Sequence, residues 1–325
     1  MKIVVSEDKT NRLVGIHPCF EGCQVYECQE QELGFTKPLP DHEQILQFYE
    51  SGFYIKDDKL TGLEQRLQFS EQRALAQIDF IKPFLPEAKV SSVLDIGCSD
   101  GSLICLFSEL NYRVTGYEPD SKMAIFAKER LKTKPGKSEI VNEMFGITEN
   151  NDIRYDLVCS SHLFEHIANP IDHLSRLKQI MKEDGILFME IPNQYGLGVK
   201  NCITPSIFPP ATMQGHLYFY SPKSIRLVLE ENGFKILCLK TCGKNVENFF
   251  ISQKQKRKAT VNIMDKVKKK IITINKYVKN RFLPKGEIKR DENLTNKSKS
   301  LFQTYWDGDQ QGQWIRIIAT PKNKN

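Results

Sequence analysis

The chain has 325 residues, of which 40% are hydrophobic and 26% charged. This composition is typical of a folded globular protein and excludes collagen, a wholly disordered chain and a polytopic membrane protein. The net charge of +6 is concentrated in one segment: residues 254–299 hold 16 Lys or Arg against 4 Asp or Glu, so the rest of the chain carries −6. One localised basic patch is therefore predicted, rather than a generally basic surface.

The chain shows no sign of a membrane span or of a secretory signal. No run of about 18 apolar residues occurs, so no membrane-spanning helix is predicted. Residues 1–12 lack the apolar stretch of a signal peptide. The 9 cysteines stand at uneven spacings and are interpreted as reduced thiols. These features favour a cytoplasmic location.

Residues 1–60 are predicted to form an N-terminal arm. Cys19, Cys23 and Cys28 stand at spacings unlike the close pairs of a structural zinc site, and such a site needs four ligands. A structural zinc site is therefore the less favoured interpretation of these cysteines.

Residues 61–250 alternate short apolar runs with longer amphipathic stretches, which predicts an α/β fold with a parallel, doubly wound sheet. Pro222 and Gly233 delimit a later helix, because proline suits the first turn and glycine suits the residue after the last turn. A strand should follow that helix, and another should lie in residues 301–325. The predicted strands are Val93–Ile96, Arg113–Tyr117, Tyr155–Ser160, Gly185–Ile191, Lys235–Lys240 and 313–320, and the helices between the early strands include Lys122–Lys132 and Pro170–Lys182.

The sharpest motif is VLDIGCSDGS at residues 93–102, a strand that ends in Asp95 and passes through Gly97 and Gly101 into a helix. Glycines there allow a tight turn and a close approach of the backbone to a ligand. The helix N-terminus favours an anionic or carboxylate-bearing group. An ordinary strand-to-helix turn is the alternative interpretation of the two glycines alone.

The next predicted strand ends in GYEPD, where Glu118 is placed to accept hydrogen bonds from ribose hydroxyls. Position 99 is serine, so the glycine pattern of dinucleotide-binding proteins is not met, and no Lys follows Gly101 as a P-loop requires. Both motifs belong to the carboxyl ends of neighbouring strands, where open α/β sheets bind ligands.

The D-x-G-x-x-x-G pattern with its later acid resembles the class I S-adenosylmethionine-dependent methyltransferases. The resemblance continues through three downstream segments, YDLVCSSHLFEHIANP (155–170), LKQIMKEDGILFMEIPN (177–193) and GHLYFYSPKSIRLVLEENGFKI (215–236). The last resembles the H-x-x-x-[FY]-[ST]-P segment of the small-molecule and sugar-modifying branch. The resemblance implies a Rossmann-like, seven-stranded, mostly parallel sheet with an antiparallel last strand.

The resemblance also implies the residues that hold S-adenosylmethionine. Glu118 should meet the ribose, Asp95 the methionine amino group or a water, and the two serines after the fourth strand the sulfonium. Glu143 and Met144 should meet the adenine. The complete predicted set is Asp95, Gly97, Cys98, Gly101, Glu118, Pro119, Glu143, Met144, Ser160 and Ser161.

Histidines are the candidates for a general base, because their ordinary pKa lies near neutrality. His216, His162 and His166 are the predicted catalytic residues. The alternative interpretation of His166 is a loop-shaping role with Glu165, and that of His216 is loop packing. The other three histidines, His17, His42 and His173, are predicted to be surface or scaffold residues.

The segment at 32–54 resembles the one that follows a small zinc ribbon in sugar and polysaccharide methyltransferases, which implies that the arm of residues 1–60 contains a degenerate zinc-ribbon-like segment, expected as a metal-free hairpin. Tyr49 and Tyr54 are hypothesised to form part of a lid, with aromatic packing as the alternative.

Residues 251–300 are predicted to form a basic helical insertion, with an apolar face along 264–283. Packing on the core and docking on an anionic membrane at its inner face are the two interpretations considered first. No aromatic-interleaved basic sheet is apparent, so no nucleic-acid partner is expected.

The predicted activity is O-methylation of a sugar or other small molecule, in surface-polysaccharide or secondary biosynthesis. The alternatives are a membrane quinone or phenol O-methyltransferase and a non-catalytic cofactor-binding scaffold.

Overall fold

The computed structural model describes residues 11–50, 60–85, 92–135, 137–146, 153–194, 215–243, 305–306 and 312–322, without the side chains of 49–50, 60–66 and 305–306. The predicted basic helix at 264–283 and the lid residue Tyr54 lie outside these residues, as does the side chain of Tyr49. Those hypotheses stay predictions, as do the boundaries of the four predicted regions.

The described part of the chain alternates strands and helices as expected. The strands are β1 Asn11–Ile16, β2 Gln24–Cys28, β3 Leu33–Lys37, β4 Ser92–Ile96, β5 Arg113–Tyr117, β6 Ser138–Val141, β7 Tyr155–Ser161, β8 Met181–Pro192, β9 Tyr218–Phe219, β10 Phe234–Cys242, β11 Tyr305–Trp306 and β12 Trp314–Pro321. The helices are α1 His42–Glu50, α2 Leu60–Ile81, α3 Ser102–Glu109, α4 Ser121–Leu131, α5 Pro170–Ile180 and α6 Pro222–Glu231.

The main sheet has the strand order β11-β10-β12-β8-β7-β4-β5-β6. Neighbouring strands from β6 to β8 pair in parallel, and β12 pairs antiparallel with both β8 and β10. The predicted doubly wound sheet of seven mostly parallel strands with an antiparallel last strand is confirmed. The two-residue β11 is an addition at the edge, paired with the end of β10.

Local signals explain where the helices begin and end. Asn169 caps α5, whose first residue is a proline. Ser221 and Ser224 form a reciprocal capping box at the start of α6. Gly233, with φ of +82°, ends that helix in the left-handed conformation that favours glycine. Two apolar clusters form the core, one containing Leu94, Val158 and Leu187 and the other containing Val93, Leu157 and Phe188.

A second, smaller sheet has the order β1-β2-β3-β9, with all its pairs antiparallel. The hairpin of the arm is thus extended by a strand from the segment just before α6. Gly34 and Phe35 pair with Phe219 and Tyr218. The arm is therefore attached to the segment that carries His216.

The described helices include none that is both long and apolar enough to cross a bilayer.

Candidate active site

The carboxyl ends of β4, β5 and β7 meet at one edge of the main sheet. β4 lies between the other two strands and pairs in parallel with both. The chain therefore leaves β4 toward one side and later returns on the other. Such a switch point opens a crevice beyond the strand ends, which is where open α/β sheets bind ligands.

The glycine loop turns sharply over the end of β5. The backbone N–H groups of Gly97 and Cys98 both donate to the carbonyl of Tyr117, at 2.8 and 3.0 Å. Gly97 and Gly101 have φ angles of +74° and +75°, which other residues rarely adopt. Cys98 is buried in this turn, and burial raises the pKa of its thiol well above the ordinary value. The loop backbone is thus fixed in place before any ligand binds.

Glu118 joins this loop to the end of β5. One carboxylate oxygen accepts a hydrogen bond from the backbone N–H of Ser99 and the other from that of Asp120, both at 2.8 Å. Each carboxylate oxygen has two lone pairs, so each can accept a second hydrogen bond. This orientation fits the predicted role of Glu118 as an acceptor for ribose hydroxyls, which stays a prediction.

Asp95, at the end of β4, has a very different environment. Its side chain is buried. Burial, followed by the negative charges of Glu118 and Asp100, raises the pKa of the carboxyl group to about 8, against the opposing effect of Arg73 on α2. A cationic amino group placed here would stabilise the ionised form, so the site fits the amino-acid end of S-adenosylmethionine.

The hydroxyl groups of the two serines at the end of β7 differ in their hydrogen bonding. Ser160 is fully buried, and its hydroxyl has no hydrogen-bond partner among the described residues. The hydroxyl of Ser161 accepts a hydrogen bond from Gln77 on α2 at 2.9 Å. An unpartnered buried hydroxyl beside the crevice fits a ligand group that would pair with it.

The predicted adenine contacts follow β6 rather than lie within it. Glu143 is half-buried and Met144 is 37% exposed. Pro119, between β5 and α4, is exposed. All three residues come shortly after the carboxyl end of β5 or β6 in the chain. Their roles in cofactor binding stay predictions.

His162 occupies the residue just after β7, in a left-handed conformation with φ of +53°. Its Nδ1 lies 3.4 Å from a carboxylate oxygen of Glu165, and its Nε2 lies 3.4 Å from one of Glu190. Its backbone N–H donates to the carbonyl of Glu190 at 2.7 Å. Burial lowers the pKa of His162, but the two carboxylates outweigh that effect and the net pKa is raised.

His166 and His216 lie deeper, with ring centroids 4.8 Å apart. The pKa of His216 falls to about 3, chiefly because of burial and then because of His166. His17, predicted to be a surface or scaffold residue, is buried, and its Nε2 is 3.0 Å from the carbonyl of His216. His173 is buried as well, between Phe145 and Phe164. The structure thus brings all three predicted catalytic histidines together with Glu165.

Sequence reasoning missed a buried polar network beneath His162. Glu190 on β8 and Arg316 on β12 are paired in register and form an ion pair at 2.5 Å, with both side chains fully buried. Gln77 donates to the same glutamate at 3.0 Å. The signal was available, because each of the two charges interrupts an otherwise apolar run, and a buried charge needs a partner.

Comparisons with curated proteins identify relatives that are named for RNA modification. The tRNA U34 carboxymethyltransferase of Campylobacter lari is 28% identical over 124 residues, which cover 37% of this chain and 42% of that protein. Its namesake from Aliivibrio salmonicida is 27% identical over 183 residues, which cover 54% of this chain and 56% of that protein. The chain thus spans about half, or less, of the length of these relatives.

These relatives overturn two predictions. O-methylation of a sugar or other small molecule was the wrong inference, and so was the expectation of no nucleic-acid partner. The physical reason lies in the segment that suggested the sugar-modifying branch. In the structure that segment forms β9 and the capping box of α6, which build the fold and do not identify an acceptor.

Among solved structures, an S-adenosylmethionine-dependent methyltransferase from Thermotoga maritima, described as a possible histamine N-methyltransferase, has the same fold. Its TM-score is 0.50 at 14% sequence identity, and the match covers 85% of this chain and 100% of that one.

A family model described as a methyltransferase domain matches residues 69–239, more than half of the chain. The matched range contains the glycine loop, Glu118, the two serines of β7 and the histidine cluster. The chain therefore belongs to the methyltransferase-domain family, as an S-adenosylmethionine-dependent methyltransferase.

Proposed function

We propose that this enzyme transfers a methyl group to a nucleobase of tRNA. The observation that carries the tRNA acceptor is the match to the tRNA U34 carboxymethyltransferases, of which the Campylobacter lari and Aliivibrio salmonicida proteins are examples; the transferred methyl group follows from the methyltransferase-domain family. U34 of tRNA is the first candidate acceptor. The same acceptor decides the branch of the superfamily, because methylation of tRNA would place the enzyme outside the small-molecule and sugar-modifying branch.

The charge distribution supports a polyanionic substrate. Residues 254–299 carry a net charge of +12, while the rest of the chain carries −6. Lys and Arg that neutralise phosphates release condensed counterions, which is the main source of sequence-independent affinity for nucleic acids. The basic segment would therefore hold the RNA, and the methyltransferase domain would select the reacting base.

Each residue of the crevice has a role in this proposal. S-adenosylmethionine, when bound, supplies a methyl group activated by its sulfonium. Glu118 accepts the ribose hydroxyls, and Asp95 pairs with the amino group. The protein's remaining task is to align the acceptor and to take up its proton. Of the three candidate histidines, His162 is best placed for that task, since its side chain is 24% exposed against 8% for the other two.

The test uses the full chain, S-adenosylmethionine with a tritiated methyl group, and total tRNA. We expect label in tRNA, and mass spectrometry of the digested nucleosides would identify the methylated base. Glu118→Ala, checked for folding by circular dichroism, should lose most of the incorporation, because the ribose hydroxyls lose their acceptor. Ribosomal 5S RNA serves as the RNA control. Failure to label tRNA by a protein that binds S-adenosylmethionine would refute the proposed acceptor.

A further inference from the structure

We propose that Glu165, His166 and His216 bind a divalent transition-metal ion of the zinc class next to the methyl-acceptor side of the crevice. One ligand atom from each of these residues lies within 4.8 Å of the other two. The inference does not depend on which acceptor the enzyme methylates. It rests on three observations: the rigid placement of the three side chains, a buried carboxylate without a hydrogen-bond partner among the described residues, and the orientation of the imidazole rings.

The three ligands come from two parts of the fold that are fixed to each other. Glu165 and His166 belong to the single helical turn Phe164–His166 that follows β7. His216 precedes β9, where the backbone N–H of Leu217 donates to the carbonyl of Glu165 at 2.8 Å. The pairing of β9 with β3 then holds this segment against the arm. A site built on such hydrogen-bonded elements is formed before its ligand arrives.

Glu165 is the strongest indication that a cation belongs here. Its side chain is 1% exposed, and neither carboxylate oxygen has a hydrogen-bond partner in the part of the chain that the structure describes. A buried ionised carboxylate without hydrogen bonds is costly unless a cation lies beside it, and Nδ1 of His162, 3.4 Å away, supplies one only when that ring is protonated.

The distances suit a shared ion better than direct hydrogen bonds. Oε1 of Glu165 is 3.9 Å from Nε2 of His216 and 4.0 Å from Nε2 of His166, both too long for hydrogen bonds. Two ligands about 2.1 Å from one metal ion are at most about 4.2 Å apart. In a tetrahedral site the ligand atoms lie about 3.4 Å apart, so the longest separation in the cluster must shorten by up to roughly 1.4 Å when the ion binds.

The rings are oriented as metal-binding histidines usually are. Nδ1 of His166 donates to the carbonyl of Gly215 at 3.1 Å, which leaves the lone pair on Nε2, facing Glu165. Nε2 of the Gln194 amide lies 3.4 Å from Nδ1 of His216, on the ring edge away from Glu165; with the amide turned over, its carbonyl oxygen would accept a hydrogen bond from Nδ1 and leave the Nε2 lone pair for the ion. His17 holds the backbone of His216 in place.

The three ligand groups indicate which metal ions would bind and what such an ion would do. Two imidazoles and one carboxylate suit zinc and its first-row neighbours, whereas calcium and magnesium prefer oxygen ligands. Three protein ligands leave an open position, as in catalytic zinc sites. That position would let the ion polarise an oxygen of the acceptor close to His162.

The first experiment titrates the tag-free full chain, after treatment with a chelator, with Co²⁺ as a spectroscopic substitute for zinc. We expect visible d–d absorption bands that saturate at one ion per chain, and one equivalent of zinc by mass spectrometry after reconstitution. Bands without a thiolate charge-transfer band in the near ultraviolet would match nitrogen and oxygen ligands. A thiolate band would instead place the ion on cysteines and overturn the proposal.

Variants localise the ion. His166→Ala and Glu165→Gln should each lose the d–d bands, with at least a tenfold loss of Co²⁺ affinity. His173→Leu, another buried histidine outside the cluster, is the matched control and should bind as the wild type does. If a folded wild-type chain binds no stoichiometric Co²⁺ or Zn²⁺, then a protonated His162 compensates Glu165 and the proposal fails. The wild-type titration decides this even where a variant does not fold.

Discussion

At the scale of single residues, the two acids at neighbouring strand ends have different surroundings. Glu118 accepts two backbone hydrogen bonds through its carboxylate. Asp95 is buried near two further acids, so its pKa is raised to about 8 and it carries a proton at neutral pH in the free enzyme. The motif located both residues, but it did not predict this difference.

The protonation of Asp95 predicts how cofactor binding depends on pH. The cationic amino group of S-adenosylmethionine should favour ionised Asp95, so binding below pH 8 must release a proton. Between pH 6.0 and 7.5 the affinity should therefore rise with pH, by up to about tenfold per unit. Calorimetry in buffers of different ionisation enthalpy measures both the affinity and the released proton.

Asp95→Asn is the control, since it keeps the shape and cannot ionise. Its affinity should change little over the same pH range. A wild type whose pH profile matches that of Asp95→Asn would show that Asp95 does not titrate on binding.

At the scale of elements, Gly101 shows how closely the glycine loop packs against α4. A Cβ on Gly101 would lie 3.0 Å from Cβ and 3.3 Å from Cα of Ala127 on α4. Gly22, in the arm, has the same kind of backbone with φ of +76°, but nothing lies within 4 Å of its Cβ position. Alanine variants at these two positions therefore separate the cost of a left-handed backbone from the cost of crowding α4.

We expect Gly22→Ala to lower the free energy of unfolding by about 1 kcal/mol, the usual cost of a left-handed alanine. Gly101→Ala should lower it by about 2–3 kcal/mol, because α4 must also move away from the loop. Urea unfolding of both variants against the wild type measures the difference. Equal losses would mean that the contact with Ala127 is easily relieved.

Element boundaries followed from local signals, whereas pairing in the small sheet did not. Pro222 marked the start of α6 and Gly233 marked its end. The two-residue β9 has no signal of its own, because a strand this short exists only through its partner β3. The attachment of the arm to the segment of His216 was therefore visible only in the folded chain.

At the scale of the whole molecule, the proposed RNA substrate should make binding strongly dependent on salt. Exposed lysines that contact phosphates each contribute about 0.9 to the slope of log affinity against log salt for a duplex and about 0.7 for a single strand. Replacing Lys269 and Lys270 by Gln should therefore lower the slope for tRNA by about 1.5. Fluorescence anisotropy with labelled tRNA at several salt concentrations measures the slope.

The matched control replaces Lys128 and Lys132, which lie in or next to the last turn of α4 and are exposed, by Gln. This pair removes the same charge from outside the basic segment and should leave the slope unchanged. Equal slopes for the wild type and the variant at Lys269 and Lys270 would place the RNA elsewhere.

The sequence by itself determined the α/β class of the main sheet, the position of the glycine loop and, through the family resemblance, the enzyme class. These depend on short-range physics: apolar runs that must be buried, turns that need glycine, and helix ends that need caps. It misjudged the acceptor, because the segment that suggested a sugar serves the fold rather than the substrate.

Only the tertiary structure decided which distant side chains meet. Glu190 and Arg316 are separated by 126 positions in the chain, yet they form one buried ion pair. His17 reaches the carbonyl of His216 across 199 positions, and Glu165 meets two histidines from different segments. Such contacts have no local signature, because each forms only when the closure of the sheet brings two otherwise unrelated segments to the same place.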